Sequence, residues 1–177
     1  MKWVLIILGV IAAIAAIVVV IGLLLPEKHV ASRKAVIRQS PETIWSALTT
    51  IREFPSWRSD LTSVELLPER DGHPLWIEHG SNGDITMERM EAVPMQRLVG
   101  RIADSSLAFG GRWIYELRPV EGGTEIAITE EGEVYNPFFR FMSRFIFGHA
   151  SSLEDYLEDL GKKYGEKSQI VAGDRET

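Results

Sequence analysis

The chain has 177 residues, 45% of them hydrophobic, and a formal net charge of −6, enough for one domain with a sizeable core and short for two. It contains no cysteine, which excludes a disulfide framework, a thiolate nucleophile and a cysteine-based zinc site. Setting aside Lys2, Glu27 and Lys28 leaves 17 Lys+Arg against 24 Asp+Glu over residues 29–177, a balance of −7, which speaks against a nucleic-acid binder.

Residues 4–25 form a run of 22 without a charge. As a helix rising about 1.5 Å per residue the run is about 33 Å long, which matches a hydrocarbon core of roughly 30 Å. A secretory signal has a shorter apolar region of about 7–15 residues, and Leu23-Leu24-Leu25-Pro26-Glu27 lacks the small residues of a cleavage site. An uncleaved transmembrane anchor over residues 1–28 is therefore expected. Lys28, Arg33, Lys34 and Arg38 follow the run whereas Lys2 alone precedes it, so the positive-inside rule predicts a single-pass protein with its C-terminal domain in the cytoplasm.

Beyond the anchor, residues 30–39 read as a first strand. Ser40 and Pro41 then supply an N-cap and a first-turn proline, and Ile44, Trp45, Ala47, Leu48 and Ile51 fall on one face of a short helix. Pro55 ends that helix and restricts Phe54 to extended geometry, so a second short helix or turn follows. From residue 61 to residue 134 the chain alternates apolar and polar positions between turn signals at Asp71-Gly72, Asn82-Gly83, Pro94-Met95, Phe109-Gly110-Gly111 and Gly122-Gly123. That is an antiparallel meander with one apolar face. Asn136-Pro137 repeats the cap-and-proline signature. Phe138, Phe141, Met142, Phe145, His149, Leu153, Tyr156, Leu157 and Leu160 follow at helical spacing, predicting one long amphipathic helix over residues 137–164. Residues 167–177 are polar and aperiodic and read as a flexible tail.

This order of elements leaves the terminal helix to cover the sheet's apolar face, and a strongly curved sheet around one helix leaves space between them. Residues 30–166 resemble the START-like and Bet v 1-like (SRPBCC) superfamily, which includes polyketide cyclase/dehydrase and lipid-transport proteins. The resemblance rests on Ser40-Pro41-Glu42-Thr43-Ile44-Trp45, Phe54-Pro55-Ser56-Trp57, Phe109-Gly110-Gly111-Arg112-Trp113 and the aromatic terminal helix. It implies an α+β helix-grip fold, in which a curved antiparallel sheet of about seven strands wraps a long C-terminal helix, with two short helices after the first strand. It also implies a START-like domain over residues 29–166 with a cavity for a hydrophobic small molecule or lipid. Members of the superfamily also include cyclases and chaperone-ATPase activators, so the fold alone does not decide activity. The N-terminal anchor departs from most of the superfamily and argues against a freely diffusing carrier.

Candidate cavity residues follow from strand and helix phase. His79 is in phase with Leu75 and Ile77 and is a possible donor or base, and His149 lies on the helix stripe; the plainer reading is of satisfied histidines. Glu130 shares a strand face with Ile126 and Ile128 and would be a desolvated acid, while Arg89, in phase with Ile85 and Met87, would anchor a carboxylate or phosphate. The plainer account of this pair is a strand-end acid and a rim ion pair. Trp113, Tyr115, Phe141 and Phe145 are the aromatic residues expected to line the cavity. There is no histidine pair at ligand spacing, no G-x-S-x-G elbow and no P-loop or dinucleotide fingerprint, so no metal, cofactor or nucleic-acid partner is expected. The expected partners are a hydrophobic small molecule or lipid and the membrane, and the sequence names no protein partner. Two other functions stay open: a polyketide cyclase/dehydrase-like enzyme with Glu130 or His79 as acid or base, and a non-catalytic interaction module at the membrane.

Overall fold

A computed structural model of the chain describes residues 2–81, 83–148 and 150–175. Helix α1, Lys2–Leu24, is 23 residues long with a mean hydropathy of 3.5 in its most apolar window, and is long and apolar enough to cross a membrane. Strand β1 (Lys28–Ile37) follows after three residues, and then α2 (Pro41–Thr49). Ser40 Oγ accepts the Thr43 amide at 3.3 Å and Pro41 opens the helix, as the cap signature requires. Pro55 sits inside a short 3-10 helix, Ile51–Ser56. The meander then runs through β2 (Leu61–Arg70), β3 (His73–Gly80), β4 (Gly83–Val93), β5 (Arg97–Ile102), β6 (Phe109–Val120) and β7 (Gly123–Val134).

The sheet is antiparallel with the order β2-β3-β4-β5-β6-β7-β1-β8. Its eighth strand, β8 (Val171–Ala172), pairs with Arg33 and Lys34 of β1. The segment expected to be a loose tail thus returns to the sheet edge, aided by Ser168 Oγ donating to Leu157 O at 2.8 Å and the Gly173 amide to Ser32 O at 2.9 Å. Register shifts between β2 and β3 and at Arg89/Glu91 of β4 mark bulges, which bend strands and increase twist.

The expected single terminal helix is broken. Helix α3 (Pro137–Met142), capped by Asn136 Oδ1 on the Phe138 amide at 2.9 Å, runs into a π-helical turn, Ser143–Phe147. Gly148 ends the turn at φ 76° and ψ 155°, a conformation available in practice to glycine, and α4 (Ser151–Lys163) begins beyond it. Helix α4 alone is gripped by the sheet. Its Leu153, Leu157 and Leu160 are buried with Ile37, Ile126 and Ile128 of the sheet and with Ile44 and Leu48 of α2. A polar clamp fixes its other side, where Asp159 Oδ2 accepts the Ser59 amide at 2.7 Å and the Ser59 hydroxyl at 2.6 Å.

Helix α3 packs instead against the end of α1. Gly22 is buried there, and a side chain at this position would collide with the backbone carbonyl of Pro137. Arg140 is 8% exposed. It donates to Val134 O at 2.7 Å and Tyr135 O at 2.9 Å, pairs with Glu27 at 2.5 Å, and reaches Gly22 O in the last turn of α1 and Leu25 O just beyond it, at 3.5 Å each. A guanidinium at a helix C-terminus satisfies orphan carbonyls and opposes the negative end of the dipole.

Candidate functional site

Cross-strand register assigns the concave face without ambiguity, because residues directly opposite each other share a face. Trp76 and Glu78 of β3 oppose Met87 and Ile85 of β4. Arg89 opposes Gly100, which opposes Trp113, and Leu98 opposes Tyr115. Trp113 and Tyr115 in turn oppose Glu130 and Ile128 of β7. Between this face and α4 lies a cavity of about 560 Å³, within the roughly 300–1,000 Å³ typical of small-molecule sites. It reaches the surface between the β3–β4 turn, at exposed Ser81 and Gly83, and the start of α4, at exposed Ser151, Ser152 and Asp155. Gly100, register partner of both Arg89 and Trp113, contributes no side chain to the wall and so leaves room between them.

The wall is apolar along Leu48, Phe54, Leu61, Ile85, Met87 and Leu98, with three polar groups set into it. In the first, Arg58 donates to Asp60 through two nitrogens, at 3.1 and 2.7 Å, and to Glu78 Oε1 at 2.9 Å. The Trp76 indole donates to the same Glu78 oxygen at 2.9 Å. Burial disfavours the Arg58 charge, but Glu78 and Asp60 outweigh it and hold the guanidinium more firmly protonated than usual. The second is a pair of tyrosines. Tyr115 and Tyr156 have ring centroids 5.4 Å apart, and burial pushes both hydroxyls above the ordinary tyrosine range.

The third is Arg89. Its Nη2 donates to Thr49 O at 3.0 Å and its Cζ lies 5.9 Å from the centre of the Trp76 ring. Its Nε is buried without a partner, and among the described residues no carboxylate pairs with it. Burial lowers its pKa, the mark of a cation whose desolvation is not compensated.

The structure therefore brings Arg89, Trp113 and Tyr115 together on the wall. Glu130 is on the same face but behind it: Trp113 Nε1 donates to Oε2 at 3.1 Å, Ser152 Oγ to the same oxygen at 3.1 Å, and His29 Nε2 lies 3.3 Å from Oε1. His79 is on the opposite face, 2.7 Å from Asp84 Oδ1, a correction to its expected place. Both faces of β3 carry apolar residues, Leu75 and Ile77 outside and Trp76 inside, so alternation alone does not identify the concave one. Phe141 and Phe145 are also displaced from the cavity. Their rings touch each other at a tilt of 47° with centroids 4.9 Å apart, and Phe145 is 60% exposed, because the break at Gly148 turns their segment towards α1. His149 lies outside the described residues. Arg58, Asp60, Glu78 and Tyr156 also line the cavity, beyond the residues that sequence phase points to. The ambiguous phase of β3 hides Glu78, whereas the helix stripe that contains Tyr156 is a signal that could find it. Among the described residues no cluster of histidines and acids is disposed to bind a metal.

Solved structures of low identity share the fold. A START superfamily protein from Mycobacterium smegmatis is 15% identical over 76% of this chain and 96% of its own, with a TM-score of 0.62. Truncated norcoclaurine synthase from Thalictrum flavum is 10% identical over 78% and 94%, with a TM-score of 0.62. The Zhui aromatase/cyclase from Streptomyces sp. R1128 is 12% identical over 60% and 68%, with a TM-score of 0.54. No protein of curated function matches the chain. Residues 28–162 match the family described as polyketide cyclase / dehydrase and lipid transport, and with the helix-grip sheet, the cavity beneath α4 and these structural relatives in view, the chain belongs to that START-like family.

Proposed function

We propose that this protein is a membrane-tethered binder of an amphipathic molecule with a long apolar body and an acidic end, a lipid or lipid-derived acid. The observation that carries the reading is Arg89, a half-buried cation on the wall of a largely apolar cavity, whose buried Nε has no partner and which, among the described residues, pairs with no acid. A carboxylate there would supply the missing counter-charge and accept the free N–H, a charge-assisted interaction of about 1.5–3 kcal/mol. The apolar body would add about 25 cal/mol per Å² of surface removed from water. The acids at the wall favour binding over acid–base catalysis, since Glu78 is engaged by Arg58 and Trp76 and Asp60 by Arg58.

The apolar helix α1 is read as the anchor. Its docking through Gly22 and Arg140 supports a segment retained in the mature protein over a cleaved signal, and the basic residues that follow it support a cytoplasmic domain. Protease added outside intact cells is expected to leave the domain whole.

The test uses full-length protein, stripped of co-purifying lipid and held in an amphipol so that no free detergent competes. Tryptophan fluorescence is followed on titration with a long-chain carboxylate and with the alcohol of equal chain length. The acid is expected to bind at least roughly tenfold more tightly, the value of one charged hydrogen bond, and Arg89→Met is expected to abolish the preference. Absence of binding by either compound would refute the proposal.

A further inference from the structure

We propose that residues 137–147 lie in the interfacial layer of the bilayer, so that the domain rests on the membrane through an aromatic surface as well as through its anchor. The inference rests on the reading of α1 as a membrane span and goes beyond it.

The first argument is the reach of the chain. Helix α1 ends at Leu24 and β1 begins at Lys28, so the linker is three residues, which extend at most about 10 Å. Arg140 shortens even that by binding Glu27 and Leu25 O of the linker together with Gly22 O of α1. Gly22, in the last turn of α1, touches Pro137 at the start of α3. A helix of 23 residues is about 34 Å long at 1.5 Å per residue, close to a hydrocarbon core of roughly 30 Å. Its last turn therefore sits at the boundary between acyl chains and headgroups, and the start of α3 sits there with it.

The second argument is what the segment displays. Phe138, Phe139, Phe145 and Ile146 are 45%, 48%, 60% and 60% exposed, a concentration of bare aromatic and aliphatic surface that a soluble face seldom carries. On a helical repeat these positions fall in one stripe, whereas Arg140 and Arg144 fall on the other side. Arg140 faces inward to the α1 carbonyls and Arg144 is exposed. An apolar stripe beside basic residues, lying in the membrane plane, is the composition of an interfacial helix. The bilayer is the occupant that both observations select, because the turn of α1 that fixes the depth packs on Pro137, the first residue of the segment that carries the stripe.

The consequence concerns the cavity. Gly148 and then Ser151, Ser152 and Asp155 at the cavity mouth follow this segment directly. A ligand leaving the bilayer would thus meet the opening without crossing bulk water.

The absence of native cysteine makes the test direct. Full-length single-cysteine variants at Phe139, Phe145, Ala13 in α1, and Glu121 in the β6–β7 turn are spin-labelled and reconstituted in phosphatidylcholine vesicles. Collision rates with oxygen and with a water-soluble nickel chelate are then compared. The proposal expects labels at 13, 139 and 145 to favour oxygen and the label at 121 to favour nickel. A lipid-facing label at 13 with labels at 139 and 145 as open to nickel as 121 would overturn the interfacial placement while leaving the anchor intact. Labels at 139 and 145 shielded from both reagents would overturn it in favour of a protein contact. A nickel-accessible label at 13 would overturn both readings.

Discussion

Arg58 and Glu78 meet at 2.9 Å on the cavity wall, joined across 20 residues of sequence from just beyond the 3-10 helix to the C-terminal half of β3. Phe54 and Tyr156 place their rings 5.7 and 5.4 Å from the Arg58 guanidinium carbon, so the pair is shielded on two sides. Its side chains are 13% and 9% exposed. An ion pair this enclosed contributes little net stability against an apolar replacement, but removing one member strands the other.

The first prediction follows from that asymmetry. Glu78→Ala leaves the Trp76 indole N–H without an acceptor and Arg58 with Asp60 alone. The expected cost is about 3 kcal/mol, the low end for a broken buried pair, because the bidentate Asp60 contact survives. Glu78→Gln, which keeps an acceptor for Trp76, is expected to cost less. Denaturant titration of the two variants in micelles checks the order; equal losses would contradict it.

A second prediction concerns alkaline pH. The hydroxyls of Tyr115 and Tyr156 are raised first by burial, with Glu78 adding to the effect and Arg58 opposing it; the Glu130 carboxylate also raises Tyr115. A group whose folded pKa exceeds its unfolded value contributes stability that is complete below the unfolded value, here about 10. That contribution is lost as pH rises through the folded value, because the unfolded chain releases protons first. Stability is therefore expected to decline above about pH 10, with Tyr115 and Tyr156 ionising together with unfolding. Tyrosinate absorbance and circular dichroism recorded on one sample test this. Full ionisation of all tyrosines with the fold intact would show the two side chains to be wet.

The anchor junction yields a third. Arg140→Met removes five contacts that hold the end of α1 and the start of α3, and Gly22→Ala forces a methyl group against the Pro137 carbonyl. Both variants are expected to free the linker at residues 25–27 and to speed tryptic cleavage after Lys28, with the ligand cavity unaffected. Cleavage at the wild-type rate in both would mean that α1 is held by something other than this contact.

Much of the architecture was legible because the relevant signals are local. Ser40-Pro41 and Asn136-Pro137 start helices through capping chemistry contained in four residues, and Asp71-Gly72 makes its hairpin turn with φ of 53° and 80°, the paired positive values such a turn requires. The site was less legible because it depends on which strand face is concave. On β4, β6 and β7 one face is plainly apolar, so strand phase is enough to put Arg89, Trp113, Tyr115 and Glu130 on the concave face. On β3 the outer Leu75 and Ile77 are as apolar as the inner Trp76, so phase alone points to His79 and passes over Glu78. The position of β8 was beyond reach for another reason. A two-residue strand has no period, and its pairing rests on contacts made by Ser168 and Gly173 with residues far away in sequence.

The break at Gly148 is the feature that periodicity concealed most thoroughly, and it supports the last prediction. A lone glycine in a helical stripe ordinarily costs only about 1 kcal/mol and signals nothing, yet here φ of 76° with ψ of 155° redirects the chain, sending α3 to α1 and α4 into the sheet. A side chain at that conformation costs about 1–3 kcal/mol. Gly148→Ala is therefore expected to disfavour the bend relative to a continuous helix through residues 143–151. Far-ultraviolet circular dichroism would register this as added helicity. Because a straightened segment cannot keep both Pro137 on Gly22 and Leu153 in the core, the same variant is expected to lose either anchor docking or domain stability. Faster cleavage after Lys28 would report the first and a lower unfolding midpoint the second. A variant with unchanged helicity, cleavage and midpoint would show that the bend is imposed by the packing of its two arms and owes nothing to glycine.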